Sequence, residues 1–321
     1  MADILFAGTT IDQFEVLGNA VDIAAAVTTY TPIAINLSGN GETNIARTPD
    51  LGEDLTDHWF HWFYESGGYD TNSITGMLWT AANGRSLRIF CAGSRTLKFQ
   101  YWNGSAWTDV DGTVTPDVGT GNKEFDWYVR LTSTGEISLY VDKVLKLQCL
   151  GDFSGYPTPR KFSVSKPQAN FTINAQQYIV ASIPTIGFKF KYNPPTGNGA
   201  NTAWANDYTA VDETVLSRTD NITSDTANQV ETFTAAARTF TGFLVKAVVV
   251  NFEALKGITG PQNVQAALRI ASTDYYSSTI SLTYGYQGKQ AIWEEDPSTT
   301  AVWTPSDAGA ATLEFGLKSI T

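Results

Sequence analysis

His58 and His61 are the residues in this 321-residue chain that most invite a metal. In an extended strand, residues three apart point to opposite faces, so the two cannot chelate one ion together. Neither a cysteine nor a further histidine completes a set, and no metal or other cofactor is expected. Asp109-Val110-Asp111-Gly112 opens like a calcium loop. An EF-hand would need an acidic ligand where Thr113 stands and a bidentate Glu where Thr120 stands. A surface turn is the expectation there, with a calcium site of another kind as the alternative.

Acid–base and nucleophilic chemistry find no footing. Glu294-Glu295-Asp296 and Asp212-Glu213 are the densest acidic clusters. A glycosidase needs two carboxylates about 5–10 Å apart across one bond, and neighbours on a strand splay apart. There is no Gly-x-Ser-x-Gly elbow, neither histidine lies in a triad context, and TGNGAN lacks the Lys of a phosphate-cradling loop. The chain reads as a non-enzyme.

Aromatic side chains remain. Trp59, Trp62, Tyr64, Tyr101, Trp102 and Trp107 could form a platform on which the C–H face of a pyranose stacks. Aromatics in strands serve mostly as core and cross-strand packing. Trp102 and Trp107, flanking the Asn103-Gly104 turn, are the best exposed, and Tyr101, Trp102, Asn103 and Trp107 form the candidate carbohydrate site. The other use of such a surface is packing against neighbouring subunits.

The elements that position these residues are strands. From Phe125 to Leu150, Trp127, Val129 and Leu131 alternate with Tyr128 and Arg130, then Ile137, Leu139 and Val141 with Ser138 and Tyr140. Leu145, Leu147 and Cys149 alternate with Lys146 and Gln148 after a two-residue Asp142-Lys143 turn. Period two puts one set on a core and the other towards water, giving an antiparallel meander. Asn83-Gly84 and Asn103-Gly104 stand between apolar runs as hairpin turns. Strands are also expected at ILFAG and FEVLG near the N-terminus, at Val21–Thr28, and at HWFHWFYE from His58 to Glu65, closed by Gly67-Gly68 and Asn72-Ser73. Aromatics on both phases of that last strand imply cover on both sides or a concave surface. Met77–Thr80, Ser86–Cys91, Thr96–Trp102 and Gln177–Ser182 complete the first half. Gly151–Lys166 reads as a Gly/Pro loop.

The second half is expected to open with a strand at Phe188–Tyr192 and a flexible loop at Asn193–Gly199. Its further strands are Gln229–Phe233, Gly242–Phe252, Asn263–Ala271, Ile280–Tyr286 and Leu313–Ile320, with Val245–Val250 buried on both faces. Thr304-Pro305-Ser306-Asp307 is the one helix signal, an N-cap with Pro in the first turn. With 9 Trp, 14 Tyr, 17 Phe and 27 Gly, the composition favours strands and turns. The reading is therefore all-β: two antiparallel, jelly-roll-like β-sandwiches, residues 1–185 and a smaller one at 186–321, with very little helix.

A net charge of −11 argues against a nucleic-acid partner. Cys91 and Cys149 fall at apolar-phase positions and read as buried free thiols. The start, MADILFAGTTIDQF, carries Asp where a signal peptide needs basic residues, and no segment approaches ~18 uninterrupted apolar residues. Cytoplasmic synthesis without membrane insertion is the expectation.

The Trp-rich first half and the run DWYVRLTSTGEISLYVDKVL resemble the concanavalin A-like lectin/glucanase superfamily, in which a strand ending in a "vyvDG"-type hairpin recurs. Here the hairpin is Val141-Asp142-Lys143 without glycine, which leaves its turn type open. The Glu-x-Asp-x-Glu alternation of that superfamily's glucanases is absent. QQYIVASIPTIGFKF, TAWANDYTAVDETV, FTGFLVKAVVVNFEALKGITGPQNVQAALRIASTDY and AIWEEDPSTTAVWTPSDAGAATLEFGLKSI resemble minor structural proteins of tailed-bacteriophage virions. That resemblance implies a virion component, at the tail tip or fibre in preference to a capsid decoration or head fibre. Its partners would be other virion proteins; edge strands in both halves separately suit a homo-oligomer, and the aromatic site a host-surface glycan. A carbohydrate-binding adhesin is the alternative.

Overall fold

The computed structural model describes residues 3–17, 20–25, 31, 33–37, 45–65, 73–93, 95–165, 173–213 and 217–321. The expected Gly67-Gly68 closure, Asn72 and the end of the Val21–Thr28 segment (residues 26–28) lie outside these. Contacts divide the chain into a unit from Met1 to Lys191 and one from Tyr192 to Thr321.

The first unit begins with five short strands: β1 (Ile4–Gly8), β2 (Glu15–Leu17), β3 (Val21–Ala24), β4 (Ile33–Leu37) and β5 (Ile45–Arg47). Then come β6 (Asp57–Glu65), β7 (Ser73–Trp79), β8 (Arg85–Gly93), β9 (Thr96–Trp102) and β10 (Trp107–Asp109). β11 (Lys123–Arg130), β12 (Gly135–Val141), β13 (Val144–Gly151), β14 (Lys161–Ser165) and β15 (Ile173–Ala181) complete it. An eight-stranded antiparallel sheet runs β13-β12-β11-β6-β15-β4-β3, with β1 also on β15; a seven-stranded one runs β10-β9-β8-β7-β14-β5-β2. The core between them takes Phe60, Trp62, Tyr64, Phe125, Trp127 and Val129 from one sheet and Leu78, Leu87, Ile89, Phe99 and Phe162 from the other. Alternation therefore presents Trp59, His61, Glu124 and Asp126 on the outer face of the larger sheet.

The β12–β13 turn needs no glycine, because Asp142 (φ 51°) and Lys143 (φ 68°) both adopt the left-handed conformation that a two-residue hairpin loop requires. One expected core residue is displaced. Leu139 pairs with Leu147 but Tyr140 with Leu145, so Lys146 forms a bulge. A bulge reverses the phase beyond it, and Leu145 is 42% exposed. The Gly151–Lys166 segment is not all loop either. Its end is β14, with Phe162 and Val164 buried, and it pairs with both β7 and β5. The glycines and prolines before it masked a short alternating run.

The domain boundary was expected after residue 185; the contacts carry the first unit to Lys191. Lys189 is ion-paired with Glu124, and the Phe190 amide donates to Gln177 Oε1 at 3.2 Å. Phe188–Tyr192 accordingly forms no strand.

The second unit comprises β16 (Pro195–Thr202), β17 (Val230–Ala235), β18 (Val248–Ala254), β19 (Asn263–Ile270) and β20 (Thr273–Tyr276). After them come β21 (Ile280–Ser281), β22 (Gln287–Trp293), β23 (Glu295–Asp296), β24 (Ala301–Val302) and β25 (Glu314–Ile320). One sheet runs β16-β17-β25-β19-β20 with β21 on β19, and β18-β22 and β23-β24 are two-stranded ribbons. The expected flexible loop is thus an edge strand, β16. The Val245–Val250 run is not a central strand: β18 starts at Val248, has β22 as its partner, and of the run only Val250 is buried. Val250 and Ala291 of that ribbon pack against Ala266, Leu268 and Leu317 of the larger sheet, with Trp303 completing the core. The helix α1 (Pro305–Ala308) forms where its cap implies, with Thr304 accepting from the Asp307 amide.

Two measurable consequences follow. Asp22 on β3 accepts from the Ile11 amide at 2.8 Å. Burial lifts its carboxyl from 3.8 to about 7, opposed by that hydrogen bond and helped by Asp12. The fold thus holds a proton that the unfolded chain releases, and stability falls as pH rises from about 4 to 7. Asp22→Asn cannot ionise. It is expected to melt about 5 °C above wild type at pH 8, the gap closing towards pH 4, in circular-dichroism melts. A gap independent of pH rejects the assignment.

The thiols give the second. Cys91 is fully buried, and Cys149, 4% exposed, donates to Asp111 Oδ2 at 3.1 Å. Burial and then the Asp111 carboxylate push the Cys149 thiol up to about 12. The thiolate fraction at pH 8 is then ~10⁻⁴. Ellman's reagent should titrate neither thiol in the native protein and both after denaturation.

Candidate functional site

The candidate site is built on a hairpin. Trp102 of β9 faces Trp107 of β10 directly, with Tyr101 opposite Thr108 and Gln100 opposite Asp109. Asn103 explains the turn: its Oδ1 accepts from the Ser105 and Ala106 amides at 3.0 and 2.9 Å, and its Nδ2 donates to Thr108 Oγ1 at 3.0 Å. Gly104 follows at φ 98°, a conformation costly for any residue with a Cβ. A cross-strand pair brings two rings together, and Trp102 and Trp107 meet edge-on, centroids 5.5 Å apart at 70°.

Cations cover these rings. The Arg85 guanidinium lies 4.5 Å from the Trp102 centroid and that of Arg88 lies 4.2 Å from Trp107, both within cation–π range. Tyr101 points the other way along the strand and stacks on Tyr156, 4.2 Å apart at 10°. At the strand end Tyr101, Trp102 and Asn103 join Gly84, Arg85, Gly104, Gly155 and Pro157 around a shallow depression of about 510 Å³. Trp107 stands outside that lining, behind Trp102. The structure thus gathers three of the four expected residues at one depression and makes the fourth a support. Asn103 is largely spent on its own turn. Arg85 and Arg88 were missed from sequence; the phase of Arg88 on β8, opposite that of Leu87 and Ile89, was a signal for it, whereas Arg85 shares their phase and reaches Trp102 across a register irregularity in the β7–β8 pairing.

The same outer face continues across the seven-stranded sheet. Ile45, Met77 and Trp79 are buried there, with Phe90 and Trp107 packed against them. Arg47 lies 5.0 Å from the Trp79 centroid, and Arg47 and Lys161 share Glu15 at 2.8 and 2.9 Å. Of the other aromatics, Trp62 and Tyr64 are core, stacked or edge-on against Phe125. Trp59 is half-buried on the outer face of the larger sheet and stacks on Tyr128, 4.8 Å away. Tyr128 donates to Asp57 at 2.8 Å; burial, then that carboxylate, push its hydroxyl up to about 12.

The acidic candidates are engaged in structure. Asp109 takes Lys98 and Gln100 at 2.7 Å each. Burial works against its charge, yet those donors hold its carboxyl below the ordinary value. Asp111 accepts from Thr113 and Cys149. Asp296 closes a turn by accepting from the Ser298 amide and hydroxyl at 2.7 Å, while Asp212 is exposed. His58 pairs with Glu53 at 2.9 Å, on the phase opposite to His61.

His61 meets partners that local spacing could not reveal. β6 pairs with β11 so that His61 stands opposite Asp126, and His61 Nδ1 lies 2.9 Å from Asp126 Oδ1. Thr185 donates to the same oxygen at 2.7 Å, and Glu124, two residues before Asp126, pairs with Lys189. All three of His61, Glu124 and Asp126 are buried, and one nitrogen or oxygen from each lies within 4.8 Å of the others. Glu124-Phe125-Asp126 also supplies the first two places of the Glu-x-Asp-x-Glu alternation, with Tyr128 in the third.

No helix among the described residues is long and apolar enough to cross a membrane. No protein-family model and no curated protein matches the sequence. Among solved structures, the chain is similar to the cellulose induced protein Cip1, at 15% identity and TM-score 0.40 over 51% of this chain and 86% of that one. It is similar to an endo-β-1,4-glucuronan lyase from the fungus Trichoderma reesei, at 7% identity and TM-score 0.40 over 55% of this chain and 94% of that one. It is also similar to the binding domain of botulinum neurotoxin DC in complex with rat synaptotagmin II, at 9% identity and TM-score 0.38 over 96% and 89% of the two chains.

Proposed function

We propose that this chain is a non-enzymatic binding protein that contacts a glycan at the Tyr101–Trp107 hairpin and serves as a structural component of a tailed-phage virion, at the tail tip or fibre. One observation carries the binding reading: the depression where Tyr101, Trp102 and Arg85 converge on an outer sheet end. A half-buried indole offers a flat apolar surface to a pyranose, and a guanidinium beside it donates to hydroxyls or a carboxylate. The virion reading rests on the resemblance carried by residues 176–321. The exposed Leu244, Ile258, Tyr284 and Val302 of the second unit suit burial against other virion proteins or further copies of the chain. On this reading the second unit docks into the particle and the first faces out. The absence of catalysis is supported by the depression, which has no acidic residue in its lining. The carboxylates that do converge, Glu124 and Asp126, are buried and engaged with Lys189 and Thr185.

A glycan array probed with wild type, Trp102→Ala and Trp107→Ala tests the binding half. Wild type should bind a defined glycan set, and Trp102→Ala should lose at least about tenfold in affinity, as expected for a stacking contact. Trp107→Ala should lose less. Wild type binding nothing, or both variants binding as wild type does, rejects it. Mass spectrometry and immunogold labelling of purified particles test the virion half: label at the tail end supports it, label on the head reassigns the chain to capsid decoration, and a chain missing from particles rejects it.

A further inference from the structure

The depression beside Trp102 has a charge opposite to that of the protein around it. Among the described residues that line it, Arg85 alone carries a full charge at neutral pH, in a chain whose net charge is −11. The neighbouring sheet face is basic as well. On the outer phase of the seven-stranded sheet stand Arg47, Arg88, Lys98 and Lys161, against the acids Glu15 and Asp109.

Arg85 is held where it can be used. Its guanidinium lies 4.5 Å from the Trp102 centroid, so the indole fixes where the charge sits. The Gly155–Pro157 wall is tied back to the sheet, because Ser86 donates to the Pro157 carbonyl and Tyr156 stacks on Tyr101. The rim is open: a Cβ at Gly104 or Gly155 would meet nothing within 4 Å. A guanidinium carries five N–H donors in a planar fork and accepts nothing. That fork matches the paired oxygens of a carboxylate or phosphate, whereas a sugar hydroxyl offers a single oxygen. Hydrogen bonds to an ionised acceptor are roughly twice as strong as those to a neutral one, so an anionic sugar gains most from this residue.

We propose, on the binding reading of that depression, that the glycan taken at the Tyr101–Trp107 hairpin is acidic. A sugar bordering Trp102 carries a carboxylate or phosphate ester, and Arg85 receives it. The basic face of the sheet draws an anionic polymer towards the depression, an attraction that salt screens.

Full-length protein on a glycan array with three arms tests this: neutral glycans, glycans with uronic or sialic acid, and glycerol-phosphate polymers. Each acidic probe that binds should do so at least about tenfold more tightly than its neutral counterpart, as with sialyllactose against lactose or polygalacturonate against its carboxyl-reduced form. The acidic arm that binds names the anion. Affinity should fall as NaCl rises from about 50 to about 500 mM. Arg85→Gln should lose at least about tenfold on the acidic probe. Gly155 is not among the glycines with positive φ, so Gly155→Glu and Gly155→Gln place side chains of equal size in the open rim. The Glu variant should bind the acidic probe at least about fivefold more weakly than the Gln variant, by charge repulsion alone. That comparison decides if Arg85→Gln fails to fold. Neutral glycans bound as tightly as acidic ones, or equal binding by the two Gly155 variants, overturns the acidic class and leaves the glycan reading standing. Wild type that binds in no arm rejects that reading and the acidic class with it. A folded Arg85→Gln that binds as wild type does overturns the assignment to Arg85.

Discussion

Trp62 lies flat on Phe125, ring centroids 5.0 Å apart at 6°, and this contact pins β6 against β11. Both side chains are fully buried, and each contributes several kcal/mol of apolar burial by the usual ~25 cal/mol per Å². The register they hold decides what every neighbouring residue can do. With Phe60, Trp62 and Tyr64 inward, Trp59 and His61 must face out; with Phe125 and Trp127 inward, so must Glu124 and Asp126. A slip of one residue would send a histidine and two acids into the core and two tryptophans into water. The polar cluster is thus a by-product of aromatic packing as much as a feature in its own right.

That register also separates what sequence makes legible from what it hides. Alternation from Phe125 to Leu150 implied a meander, and the Asn-Gly pairs at 83–84 and 103–104 implied hairpins, because these features are set by residues adjacent in the chain. Leu145 escaped because a bulge at Lys146 is a cross-strand event with no local signature. β14 escaped because its neighbours β7 and β5, more than 80 residues earlier at their nearest, are what make KFSVS a strand. His61 and Asp126 are 65 positions apart, and only strand order brings them together. Reasoning from the spacing of His58 and His61 was sound about that pair and blind to the carboxylates of the next strand. The hairpin residues fared better, since Trp102 and Trp107 flank a turn; the guanidiniums over them belong to β8 and arrived with the pairing.

The second unit shows the opposite limit. Its apolar run Val245–Val250 reads as a buried strand by hydrophobicity alone, yet hydrophobicity does not specify how many faces are covered. β18 has one ribbon partner and one packed face, so the run delivers Val250 to the core and leaves its neighbours half-exposed. The core there is small, built from single side chains such as Leu268, Trp303 and Leu317. Large apolar side chains such as Leu244 and Ile258 remain in solvent. A unit that buries so little of its own apolar surface has the most to gain from burying it against something else.

The aromatic hairpin and the buried polar cluster of the first unit sit on different sheets, and this keeps them physically independent. Trp102 and Trp107 project from the seven-stranded sheet; His61, Glu124 and Asp126 project from the eight-stranded one. Between them lies the aromatic core, to which neither Trp102 nor Trp107 belongs. Trp102 rests on Arg85 and Trp107 and borders solvent, so its removal alters the hairpin alone. The buried acids have the reverse character. Each is tied to the segment around residues 185–190, so changing one alters how that segment closes over the sheet before it alters anything a ligand could touch. A solvent-bordering aromatic hairpin on one sheet, and on the other a buried polar cluster tied to residues 185–190, is the division that this pattern of alternating residues produces.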